Sequence, residues 1–290
     1  VRLAAIDIPA AEAVMARARG ENFPVASRLL PRHARAHLLA IYGFARLADQ
    51  LGDEFQGDRL AALDWLEGEL DLAYGGRAEH PLLRALQPTL SACQLPRPPF
   101  LALIEANRVD QRVSRYQTWE QLLAYCELSA NPVGELVLGV LGLASAERVS
   151  LSNSICTALQ LAEHWQDVAE DLARGRIYLP AEDLARFGCE ERDLRATHAG
   201  EPLRRLLACE VARTNELLDR GAPLIGALGG RAKLAVAAFV GGGRAALGAI
   251  ERAGYDVLAG PPSAGWARRA LGLAGALRGA PAGALRGGRQ

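Results

Sequence analysis

Gln160-Leu161-Ala162-Glu163-His164-Trp165-Gln166-Asp167-Val168-Ala169-Glu170-Asp171-Leu172-Ala173-Arg174 carries its acids and its apolar residues at helical spacing. Gln160, Glu163, Asp167 and Asp171 fall at offsets of 0, 3, 7 and 11, so a helix over residues 151–174 lines them along one face. Glu163, Asp167 and Asp171 are acids at successive i, i+4 steps, Glu170 sits beside them, and no basic residue lies between His164 and Arg174. Like charges at this spacing cost an isolated helix about 0.2–0.5 kcal/mol per pair. The row is therefore hard to explain as stabilisation and points to a cation, or a cationic ligand, held between this helix and a partner. The helix ends at Gly175, and Arg176 and Tyr178 in the segment that follows are placed to reach back towards its acidic end.

A second acidic stripe lies upstream. Residues 36–56 read as a helix, with Leu38, Leu39, Ile41, Phe44, Leu47 and Ala48 as apolar cover, and Tyr42, Arg46, Asp49 and Asp53 at offsets of 0, 4, 7 and 11. Magnesium favours oxygen ligands and commonly bridges one or two carboxylates to substrate phosphates, and Arg46 can reach a phosphate oxygen through a charge-assisted hydrogen bond. The plain alternative is a solvated face with an Arg46–Asp49 ion pair. Two such helices in one bundle favour the first reading, because opposed acidic stripes can hold Mg2+ ions with a diphosphate between them, the metal acting as Lewis acid and template. A dinuclear iron-carboxylate bundle needs Glu-x-x-His pairs; Glu163 and His164 are instead adjacent and point to different faces.

The rest of the chain is helical in pattern. No sustained strand-like alternation occurs, and Pro, Gly and Asn clusters punctuate helical segments of bundle length. The expected fold class is all-α, with residues 1–260 as one domain. Half of the 290 residues are hydrophobic, enough for a sizeable core. Basic and acidic residues balance at 33 each, which argues against a nucleic-acid partner, since such proteins carry a basic excess or stripe. Five scattered cysteines without a CxxC pair argue against a disulfide framework or a zinc site and suit a reducing cytoplasm. The most apolar run, 133–144, contains Glu135 and is too short to span a bilayer, and the N-terminus lacks a signal-peptide core. From Pro261 onward the chain is rich in Gly, Ala and Arg and has no acid. Residues 261–290 are expected to be a partly helical or disordered tail. The alternative is a segment lying peripherally on the inner membrane face, with Arg268, Arg269 and Arg278 towards anionic lipid and Leu271, Leu273 and Leu277 inward.

Arg46-Leu-Ala-Asp49-Gln-Leu-Gly-Asp53 and Asp167-Val-Ala-Glu-Asp171-Leu-Ala-Arg-Gly-Arg176-Ile-Tyr178-Leu-Pro180 resemble the two aspartate-rich motifs of the squalene and phytoene synthase family. Glu21-Asn22-Phe23-Pro24-Val25-Ala26-Ser27, Ser129-Ala130-Asn131-Pro132-Val133-Gly134, Trp165-Gln166-Asp167-Val168 and Gly254-Tyr255-Asp256-Val257-Leu258 look like its hydroxysqualene branch. The resemblance implies an isoprenoid-synthase helical bundle with a central hydrophobic cavity. It implies magnesium at Asp49, Asp53, Asp167 and Asp171, with Glu163 where the family carries an asparagine ligand. Arg46, Arg176 and Tyr178 would then lie near the diphosphate, and Tyr42, Tyr125 and Gln160 along the cavity. Asn22 and Val25 would belong to a segment at the cavity mouth, and Phe23, Val25, Leu136, Val137 and Val140 to its walls. Two departures stand out: Gln50 replaces a customary second aspartate, and Ala162-Glu163 replaces Thr-Asn.

The implied reaction takes presqualene diphosphate, a prenyl diphosphate lipid, and water to hydroxysqualene and diphosphate. The alternatives are condensation of two prenyl diphosphates, as in squalene or phytoene synthases, and a weakly active homologue that binds other squalene-pathway enzymes. No GxGxxG opens a strand–helix unit, which fits a reaction without nicotinamide. Glu105, Arg108, Arg112 and Arg115, at offsets of 0, 3, 7 and 10 on a middle helix, place three guanidiniums on one face with an acid, a face suited to phosphate, the alternative being a solvated arginine face.

Overall fold

Helix boundaries follow the punctuation in the sequence. The computed structural model describes residues 8–16, 32–262 and 276–277. Their helices are α1 (Ala11–Ala16), α2 (Arg32–Asp53), α3 (Arg59–Tyr74), α4 (Pro81–Ala92), α5 (Pro98–Val109), α6 (Trp119–Ser129), α7 (Asn131–Val140), α8 (Ala146–Gln166), α9 (Val168–Ala173), α10 (Ala181–Phe187), α11 (Glu201–Gly221), α12 (Pro223–Ala227) and α13 (Gly230–Arg252). Proline opens α4, α5, α11 and α12, where its missing N–H has no helical partner to lose. Asp58 accepts from the Ala61 N–H at the start of α3, and Thr118 from the Gln121 N–H at the start of α6. Among the described residues the only β-pairing is an isolated parallel bridge between Arg115 and Ile177. The all-α expectation holds.

The described chain divides into two compact units: Val1–Arg112 with Pro132–Ser145, and Val113–Asn131 with Ala146–Gln290. In the first, α2 packs against α3, α4 and α5. Leu47, Leu51, Leu63, Leu66, Leu83 and Ile104 are wholly buried there, and the Phe44 and Phe100 rings meet edge to face at 5.0 Å. Each such side chain contributes roughly 1.5–3 kcal/mol of burial. Leu136 and Val140 of α7 are buried and Val137 is half-buried; Phe23 and Val25 lie outside the described residues.

In the second unit α8 is the central helix, packed against α6, α11, α12 and α13. Trp165, fully buried, donates from Nε1 to Thr214 Oγ1 at 2.8 Å, which anchors the end of α8 to α11. A Cβ on Gly221 would stand 2.5 Å from Ile155 Cγ1 and 2.8 Å from the Leu151 carbonyl, so α11 crosses α8 where only glycine fits. Within the Gly241-Gly242-Gly243 run, Gly243 is the close contact, with its Cβ position 2.9 Å from Leu159. Helix α13 is long and apolar enough to cross a membrane, yet 56% of its most apolar window is buried inside the protein; it is a core helix here.

The Gly254–Leu258 motif has a structural role. Gly254 and Tyr255 take positive φ, and Asp256 accepts from Arg204, His198 and the Ala199 N–H. Burial alone would raise the Asp256 pKa, but these donors hold it below the ordinary carboxylate value. The tail beyond Pro262, apart from Ala276 and Leu277, lies outside the described residues, as does its expected membrane contact.

Candidate active site

The first acidic motif ends α2. The helix stops at Asp53, three residues short of the expected 56, because the chain turns at Glu54. Tyr42 is buried, Arg46 half-buried, and Asp49 and Asp53 are exposed. Arg46 reaches forward to Glu54 at 3.7 Å. Asp49 is met by Asn107, whose amide donates to Asp49 Oδ1 at 3.4 Å and to the Leu103 carbonyl at 3.1 Å. Gly52 lets this contact form, since a Cβ there would lie 2.2 Å from Asn107 Oδ1. Gln111 adds a hydrogen bond to the Gly52 carbonyl at 2.9 Å. Sequence reading missed Asn107, and no local signal marks it: the contact spans 58 residues.

The expected arginine face does not form. Helix α5 ends at Val109, before Arg112 and Arg115, so the helical offsets do not apply. Arg108 is held by Asp64 at 2.6 Å and Glu67 at 2.8 Å. Arg115 pairs with Glu191 at 2.7 Å and donates to the Gly175 carbonyl at 2.7 Å. These arginines brace helices and loops.

The second motif is more enclosed. The expected continuous helix over 151–174 is broken at Asp167, whose φ of −103° and ψ of 19° separate α8 from α9. Glu163 is exposed, whereas Asp167 and Asp171 are half-buried. Burial raises the Asp167 pKa, and the neighbouring Glu170 and Asp171 carboxylates raise it further against Arg174. A cation would relieve that repulsion. Gly175, at φ +82°, turns the chain, and the Ile177 N–H donates to the Ser114 carbonyl at 2.9 Å, fixing the Arg176–Tyr178 return.

Beside Asp171 lies a buried aromatic group. Tyr178 stacks on His164 with centroids 3.6 Å apart and planes at 16°. Tyr125 and Tyr116 each lie 5.8 Å from Tyr178. His164 Nδ1 lies 3.7 Å from Asp171 Oδ2, and Gln160 Nε2 lies 3.2 Å from His164 Nε2. Burial lowers the His164 pKa; Asp171 opposes that shift and Arg176 reinforces it. A small cleft lined by His164, Asp171, Arg176 and Tyr178 has room for about one water. His164 was read in the sequence only as the neighbour of Glu163, although its i, i+4 relation to Gln160 could have flagged it. Asn22 and Val25 lie outside the described residues.

Among the described residues no three His, Cys, Asp or Glu side chains form a metal-holding group. The acids come instead as pairs of hard oxygen donors, a set that fits Mg2+ arriving with a phosphate-bearing ligand better than an all-protein cage.

A family model described as squalene/phytoene synthase matches residues 16–270. Hydroxysqualene synthase from Zymomonas mobilis is 37% identical over 206 residues, 69% of this chain and 68% of that protein. Hydroxysqualene synthase from Rhodopseudomonas palustris is 38% identical over 212 residues, 71% of this chain and 70% of that protein. The crystal structure of squalene synthase HpnC from Alicyclobacillus acidocaldarius superposes with a TM-score of 0.80 at 49% identity, covering 84% of this chain and 93% of its own. A ligand-bound dehydrosqualene synthase gives a TM-score of 0.83 at 25% identity, covering 92% and 93%. The architecture is thus the all-α bundle of those synthases.

Proposed function

The chain belongs to the squalene/phytoene synthase family, and from that premise we propose that it converts presqualene diphosphate and water to hydroxysqualene and diphosphate. The observation that carries the reading is the second motif: half-buried Asp167 and Asp171, with Asp171 beside the buried His164–Tyr178 stack and its neighbours Tyr116 and Tyr125. Likeness to two hydroxysqualene synthases supports the choice of product.

In this reading Asp49, Asp53, Asp167 and Asp171, with Glu163, hold magnesium, which when bound neutralises the departing diphosphate. Arg46 and Arg176 offer guanidinium donors to its oxygens. The C–O bond breaks with its electron pair leaving on diphosphate. Tyr42 and Tyr125 present ring faces to the carbocation, and a water oxygen then forms the new C–O bond and releases a proton. No hydride is transferred, so no reductant is needed. Gln160 and Tyr178 line the substrate region. Residues 1–260 act as the catalytic domain, in the cytoplasm, with 261–290 available for peripheral contact with a membrane or with other squalene-pathway enzymes.

The test is product analysis with Mg2+ from presqualene diphosphate and, separately, from farnesyl diphosphate, each with and without NADPH. Hydroxysqualene from presqualene diphosphate without reductant is expected. Condensation of farnesyl diphosphate as the sole activity would overturn the reading in favour of a squalene or phytoene synthase. Inactivity with both, together with stable capture of another pathway enzyme, would make it a binding subunit.

A further inference from the structure

We infer that His164 is a positioning residue for Asp171: an imidazole fixed by Gln160 and stacked on Tyr178 that orients the Asp171 carboxylate for a divalent cation. The inference rests on the proposed metal role of Asp171 and adds a residue to it.

The proton direction follows from donor chemistry. An amide nitrogen donates and cannot accept, so Gln160 Nε2, 3.2 Å from His164 Nε2, makes that ring nitrogen the acceptor. Nδ1 is then the ring nitrogen that carries a proton, and it faces Asp171 Oδ2 at 3.7 Å. The opposite amide orientation would put the proton on Nε2 and turn a bare Nδ1 lone pair towards a carboxylate, which is repulsive. The order Gln160, His164, Asp171 thus runs from a hydrogen bond to a ring N–H that faces a proposed ligand across 3.7 Å, an electrostatic contact longer than a hydrogen bond.

The ring has little freedom to turn away. It is 7% exposed, and Tyr178 covers one face at 3.6 Å. In an unbroken helix, residues seven apart are separated by about 10.5 Å along the axis, near the limit of what an imidazole and a carboxylate can bridge. His164 and Asp171 instead lie on either side of the break at Asp167, so the contact belongs to the interrupted helix. Partners that hold ligating carboxylates typically matter by about 10–100-fold in metal affinity.

The experiment measures Mn2+ binding by electron paramagnetic resonance with inorganic pyrophosphate present, on the full chain, for wild type, His164→Phe, His164→Asn, Gln160→Leu and Asp171→Asn. His164→Phe keeps a ring on Tyr178 but has no donor, and is expected to weaken binding by about 10–100-fold. His164→Asn, whose amide can stand near Nδ1, is expected to recover most of that loss, which simple core damage would not allow. Gln160→Leu alters a half-buried residue and keeps the test open if His164→Phe fails to fold; it is expected to weaken binding by a smaller factor in the same direction. Wild-type binding by His164→Phe or, should that variant not fold, by Gln160→Leu, with binding lost in Asp171→Asn, would overturn the inference alone. Wild-type binding by Asp171→Asn would overturn the metal reading of that residue and the inference with it.

Discussion

The two acidic motifs share one spacing and meet opposite surroundings. Asp49 and Asp53 stand exposed at the end of an uninterrupted helix, with a distant amide from Asn107 on one carboxylate. Asp167 stands at a helix break and Asp171 one turn after it, both half-buried, with Asp171 beside a buried imidazole that is stacked on Tyr178. Equal offsets in sequence therefore do not make equal sites. Water screens the first pair, whereas the second carries a repulsion that burial strengthens, so a bound cation gains more there. The substitutions follow the same division: the exposed motif has Gln50 where a further acid is customary, and the enclosed one has Glu163 as an added acid.

The sharpest way to break this comparison is to neutralise one acid in each motif. Asp171→Asn should lower kcat by about a hundred- to a thousand-fold, the scale of losing one preorganised electrostatic contact. Asp49→Asn should cost several-fold less in the same turnover assay. Equal losses would show that burial does not rank the two motifs.

Packing under the first motif gives the next effect. Gly52→Ala drives a methyl towards Asn107 Oδ1 and should destabilise the protein by about 1–3 kcal/mol, as overpacking does. Thermal unfolding would show it, and adding Asn107→Ala should recover part of the loss.

The scaffold behind the second motif carries a pH dependence of its own. Glu210 is fully buried, and its main chain accepts from Thr214, the residue that anchors Trp165. Burial, with Asp183 adding to it and Arg213 opposing, raises its pKa from 4.5 to about 8. A pKa raised on folding means that the native state holds a proton that the unfolded state releases above 4.5. The stability this contributes is whole below that value and is lost as pH rises to about 8. Over this window the slope approaches about 1.4 kcal/mol per pH unit. Glu210→Gln should flatten it in urea titrations run across the window; an unchanged slope would place the proton elsewhere.

The smallest effect concerns Asn107 alone. Asn107→Ala removes that amide from Asp49 and should change turnover by no more than about fivefold, since so long a hydrogen bond, 3.4 Å, contributes about 1 kcal/mol at most.

Much of this was legible from residues. Periodicity and proline-glycine punctuation marked the helices because those signals are local, and the motif spacing picked out the acids. Glu163 and Asp167 were expected on one straight face, but the backbone leaves helical values at Asp167, and nothing in Trp165-Gln166-Asp167-Val168 announces that. The arginine face failed for the same kind of reason: α5 ends at Val109, without a glycine or proline there to mark the stop. Asn107 and the Glu210–Asp183–Arg213 group depend on helix packing across long separations, and the setting of His164 depends on Tyr178 and Asp171, which the chain brings to it only in the fold.

The central claim is that the enclosed second motif removes diphosphate from a prenyl diphosphate with magnesium. Its most direct measurement is diphosphate release from presqualene diphosphate by wild type and Asp167→Asn, with Mg2+ and without reductant. The account predicts release with hydroxysqualene formation in wild type and near-complete loss of both in a folded Asp167→Asn. Wild-type release by that variant would contradict it.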